Sequence, residues 1–148
     1  MKKLILVALF AAPLALALSA PAVAQNYPLD YGNFTDVTGI DILDGGGVEY
    51  ANYLATQWRK NQEFAKSQGW ISDYKVYSNL YPREGEPDIY LMVTYAKMPD
   101  AVESMRRDEA YRAFMKKNDS QMATESGNRG KFRKVMSNAL LGEMLFKK

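Results

Sequence analysis

The stretch from residue 88 to residue 97 sets the tightest limit on the fold. Ile89, Leu91, Val93 and Tyr95 fall on one side of an extended chain, and Tyr90, Met92, Thr94 and Ala96 on the other. Side chains alternate across a strand, so this segment is apolar on both of its faces. Such a strand has to be covered above and below.

The neighbouring segments supply a sheet and one layer of cover. Residues 70–80 alternate in the same way and are joined to 88–97 by a polar turn bounded by Pro82 and Pro87. A loop of that length between adjacent strands predicts an antiparallel hairpin. Residues 34–43 read as an earlier strand, with Thr38, Ile40 and Ile42 on one face. Asp44-Gly45-Gly46-Gly47 then breaks it.

Residues 48–68 carry the strongest helical pattern. Tyr50, Leu54, Gln57, Trp58, Asn61 and Ala65 share one stripe at helical spacing. Gly69 is the expected left-handed stop. Pro99 and Asp100 open a second helix whose apolar side includes Met105, Tyr111, Phe114 and Met115. Residues 118–129 are polar without clear periodicity, residues 131–137 read as a last helical turn, and residues 139–146 as the final strand.

The order is strand, helix, strand, strand, helix, strand, the split βαβ or ferredoxin-like arrangement. The expected fold is α+β, a four-stranded antiparallel sheet with two helices on one face. The other sheet face would be left bare. Because the hairpin strands are apolar on both sides, a second copy of the chain, sheet against sheet, is its simplest cover.

The N-terminus reads as an export signal. Lys2 and Lys3 precede an apolar run over residues 4–18, and Ala22-Val23-Ala24 supplies the small-x-small cleavage pattern. The run is shorter than the roughly 20 residues a spanning helix needs. Residues 1–24 are therefore expected to be removed, with 25–33 an extended lead-in and 34–148 one domain. Location would be periplasmic or secreted. Without cysteine, neither a disulfide nor a lipid-anchored cysteine is available.

Charge narrows the partners. With Lys2 and Lys3 gone, 17 basic side chains face 17 acidic ones. The basic run 129–134 would suit nucleic acid, but zero net charge and export argue against it, and a solvated face is the simpler reading. No nucleic acid partner is expected, and no membrane partner after the signal is removed.

The order of elements, the hairpin Tyr74-Lys75-Val76-Tyr77 with Ile89-Tyr90-Leu91-Met92-Val93, and the closing Leu140-Leu141-Gly142-Glu143-Met144-Leu145-Phe146 resemble the dimeric α/β-barrel superfamily. Within it the chain resembles small exported members without an assigned activity. The resemblance covers roughly residues 34–147. It implies a homodimer in which two sheets enclose a barrel, and in some relatives a small-molecule cleft between sheet and helices. Haem-using relatives bind iron through histidine, and this chain has none.

The missing residue types also limit the chemistry. Without histidine there is no imidazole base, no Ser-His-Asp triad and no His-ligated zinc. Without cysteine there is no thiolate nucleophile. No cofactor and no metal are expected. Candidate ligand-binding residues are Tyr50, Gln57, Trp58, Asn61, Tyr77, Tyr90 and Asp41. Gln57 and Asn61 are amides one turn apart beside Trp58, suited to a cleft floor that hydrogen-bonds a ligand oxygen; the alternative is bonding to backbone. The tyrosines offer flat walls with a hydroxyl handle; the alternative is core and dimer packing. Asp41 is an acid in an otherwise apolar strand, a base held in a low-dielectric site or an ordinary ion-paired carboxylate.

The function expected is therefore binding of a small, partly apolar or aromatic molecule in a cleft between sheet and helices. One alternative is a cofactor-independent oxygenase or isomerase acting on a phenol or quinone. There Asn61 and Trp58 would position the substrate, and Asp41 or a tyrosine would move the proton. Another is a structural or envelope-stress protein whose aromatics serve packing alone.

Overall fold

The computed structural model describes residues 27–95 and 97–147. The expected signal over residues 1–24, its cleavage point and the face occupied by Ala96 lie outside the described residues.

Four strands form one sheet: β1 (Leu29–Ile42), β2 (Asp73–Ser78), β3 (Ile89–Tyr95) and β4 (Arg133–Phe146). All pair antiparallel in the order β2-β3-β1-β4. The β2–β3 hairpin forms as the alternation predicts, from Asp73 opposite Thr94 to Ser78 opposite Ile89. This α+β arrangement is compatible with a ferredoxin-like fold.

Both β1 and β4 are longer than the alternation suggests, because a bulge interrupts each. The register jumps between Tyr31 and Phe34 on β1, and Met136 is the extra residue on β4 where Gly39 and Ile40 face Ser137 and Val135. An unpaired residue breaks the period of two. The strand signal is therefore lost before residue 34 and before residue 139. The turn of helix expected over 131–137 is instead a 3₁₀ turn (Arg129–Lys131) followed directly by β4.

Helix α1 runs over residues 47–67 as two α-helical stretches, Gly47–Tyr53 and Arg59–Ser67, joined by a π-helical turn at Leu54–Trp58. Gly69 ends it with a φ of +68°, a conformation a side chain would strain. Helix α2 spans Ala101–Met115, with Asp100 as N-cap: its carboxylate accepts from the Glu103 backbone N–H at 2.8 Å. A third helix, α3 (Asp119–Asn128), lies in the polar segment where no element is evident from periodicity. A capping box made by Asn118 and Gln121 holds its start.

The core sits between α1 and one face of the sheet. Ile40 and Tyr50 are each 1% exposed, and Trp58 and Leu91 complete the buried cluster. Ile42, Tyr53, Leu54, Tyr74, Ile89, Val93 and Phe132 pack around them. Opposed residues in an antiparallel pair share a face, so Thr38–Leu91, Asp36–Val93 and Tyr74–Val93 identify the helix side. The reverse face mixes Val37, Tyr77, Tyr90, Met92 and Leu141 with Thr35, Thr94, Asp73 and Lys75. Tyr77 and Leu141 remain 48% and 51% exposed there.

Candidate functional site

A cleft of about 470 Å³ opens between α1, α2 and the edge of the sheet. Helix α1 contributes Tyr53, Trp58, Asn61, Gln62 and Ala65, and β3 contributes Val93 and Tyr95. Trp70 and Ile71 come from the link into β2, and Ser104, Arg107, Asp108 and Tyr111 from α2. A smaller recess of about 130 Å³ adjoins it. The two share Tyr53, Asn61 and Tyr111, and the recess adds Gln57, Met115, Met122, Glu125 and Arg129.

Local sequence explains how these side chains meet. Leu54, Trp58, Asn61 and Ala65 follow one another at helical spacing along the inner side of α1. The π-helical turn, which includes Gln57 and Trp58, widens the helix at the cleft; such turns recur at functional sites. Gly69 turns the chain back so that the Trp70 backbone N–H donates to Ala65 at 3.0 Å. Trp70 then meets Phe64 edge-on at 5.3 Å, and Phe64 stacks flat on Phe114 of α2 at 4.0 Å. That stack ties α2 to α1 and holds the far wall. Trp58 is fixed edge-on against Tyr74 at 5.5 Å.

Polar side chains share the cleft lining with the aromatic ones: Asn61, Gln62, Ser104, Arg107 and Asp108. Gln57 donates through Nε2 to Asn61 Oδ1 at 3.0 Å and approaches Met115 Sδ at 3.6 Å. Bonded so, the two amides satisfy each other in part. Arg129 lies over the Tyr53 ring at 4.5 Å. Arg107 donates through Nε to Glu103 at 2.7 Å, and its guanidinium sits 5.7 Å from the Trp70 ring.

Titration behaviour follows from burial. Desolvation pushes the Tyr95 phenol up, with the Asp36 carboxylate adding to it and Arg107 opposing. Desolvation also raises Tyr111; Tyr53 adds to it, Arg129 opposes and Glu125 adds. Arg106 and then Arg107 hold the Glu103 carboxyl down at about 2. The two phenols are therefore neutral at pH 7 and act as hydrogen-bonding groups. No trio of acidic side chains suited to a metal ion occurs among the described residues.

The candidate residues separate into three groups. Gln57, Trp58 and Asn61 come together at the cleft and its recess. Tyr50 is in the core, stacked on Tyr53 at 5.8 Å and tilted against Phe132. Tyr77 and Tyr90 are opposed on the reverse face of the sheet, where Tyr77 lines a second depression of about 560 Å³. Asp41 stands opposite Lys134 in the β1–β4 ladder, away from the cleft. Arg107, Trp70 and Tyr111 also line the cleft and are not among the candidates the sequence offers. The available signal was the apolar side of α2, which already contained Tyr111 and Phe114.

Compared with protein-family models, with curated proteins and with solved structures, the chain gives no match. None of the described helices is long and apolar enough to cross a membrane.

Proposed function

We propose that this is an exported ferredoxin-like protein that binds a small, partly apolar or aromatic molecule in the cleft between α1, α2 and the sheet. The observation that carries the reading is the cleft itself: about 470 Å³, walled by Trp58, Trp70, Tyr95 and Tyr111, with Asn61 as an amide on its wall. Small-molecule sites are concave, mostly apolar, roughly 300–1,000 Å³ in volume, and carry a few placed polar groups. Phenols held neutral by burial suit hydrogen bonding to such a ligand better than proton abstraction from it.

We further propose that a second copy covers the reverse sheet face, closing two sheets into a barrel. Tyr77, Leu141 and Met92 supply the apolar surface for it.

Both tryptophans of the chain line the cleft, so tryptophan fluorescence, excited beyond tyrosine absorption, reports on it. Titrating the purified chain with 2-naphthol, excited where the protein absorbs and corrected for the probe, should quench the tryptophans saturably. The same probe should raise the melting temperature. No saturable quenching and no thermal shift, across naphthol and comparable bicyclic aromatics, would remove the binding role.

A further inference from the structure

Arg107 is the one cation lining the main cleft, and it is withdrawn from water, its side chain 17% exposed. Its counter-ion is already committed. Glu103 receives two bonds from Arg106, Nε to Oε2 and Nη2 to Oε1, both at 2.8 Å. Arg107 reaches Oε1 through Nε alone, at 2.7 Å. Two guanidinium groups thus share one carboxylate, leaving a net positive charge. The terminal nitrogens of Arg107 have no hydrogen-bond partner among the described residues. Trp70, 8% exposed, adds a second unmet donor in the same wall: its indole N–H is buried without an acceptor. Buried donors are ordinarily satisfied, and a guanidinium in a poorly hydrated wall is matched best by a planar carboxylate.

Two acids face this arginine from other directions. Asp108 follows it on α2 and lines the cleft, but is exposed to solvent, where water screens it. Asp36 lies across the sheet beside Tyr95. Neither bonds to Arg107.

Resting on the binding role proposed above, we infer that the cleft selects aromatic carboxylates. The ring lies among Trp58, Trp70, Tyr95 and Tyr111, and the carboxylate takes the terminal nitrogens of Arg107.

Calorimetry of the purified chain at pH 7 with 2-naphthoate and with its neutral counterpart 2-naphthylmethanol separates the possibilities. Naphthoate is expected to bind about tenfold tighter or better, the usual worth of a charge-assisted bidentate pair. Arg107→Met should abolish that preference, so that the two probes bind alike. Arg107→Lys, which keeps the charge but not the fork, should retain part of it and covers the case in which the methionine variant does not fold. Arg106→Met, which leaves the whole Glu103 carboxylate to Arg107, should lower the preference without abolishing it. Equal affinity for the two probes in the unaltered chain, or a preference that survives loss of Arg107, overturns this inference and leaves the binding role standing. Failure of both probes to bind removes the binding role itself.

Discussion

Ile40 and Tyr50 are the side chains most completely withdrawn from water. Ile40→Ala leaves a cavity beneath Tyr50 and Trp58, and should cost about 2–5 kcal/mol in urea denaturation. Burial pushes the Tyr50 phenol from its ordinary 10.0 up to about 12, against the pull of Arg133 and Arg129. The folded value lies above the unfolded one. The stabilisation is therefore full below pH 10 and is lost as pH rises through 12. Urea midpoints should fall across that window, and Tyr50→Phe should flatten the fall. Helical spacing places Tyr50, Trp58 and Asn61 on the inner side of α1 without any structure. It cannot say that Tyr50 ends in the core while Asn61 ends at a cleft, since both lie on one stripe. The faces of Tyr77 and Tyr90 are likewise hidden, because the β3 strand that pairs with Tyr77 is apolar on both sides. Arg107 is silent in the sequence: an arginine on a helix reads as solvent-facing until the partner of its neighbour is known.

Among the elements, α2 depends most on its first turn. Asp100 caps it and Glu103 ties Arg106 and Arg107 to it. Asp100→Ala should lower stability by about 1 kcal/mol, measured as a shift in the denaturation midpoint. The Glu103 carboxyl lies at about 2, below its ordinary 4.5. Its contribution is present above pH 4.5 and is lost as pH falls towards 2. Glu103→Gln should therefore remove part of the acid sensitivity of melting between those limits. The helix α3 shows where sequence reading loses an element. Its apolar content is too low for periodicity, and only the Asn118 and Gln121 pair marks its start. The bulges on β1 and β4 hide strand length in the same way, since the extra residue reverses the alternation at the point where the strand would be recognised.

At the scale of the molecule, the order of elements is the most legible feature, because hairpin alternation, helical spacing and turn residues agree along the chain. The proposed second copy would cover the reverse face of the sheet. If a second copy covers it, Leu141→Lys on the β4 edge of that face should shift sedimentation from dimer to monomer with the circular dichroism spectrum unchanged. A monomer in the unaltered chain would remove the barrel. The cleft lies on the other side of the sheet and does not depend on that outcome. Its most direct test is the nuclear magnetic resonance of the two tryptophan indole N–H groups during titration with 2-naphthoate. The account predicts that both signals move saturably. Signals that stay fixed while the probe binds elsewhere, or does not bind, would contradict it.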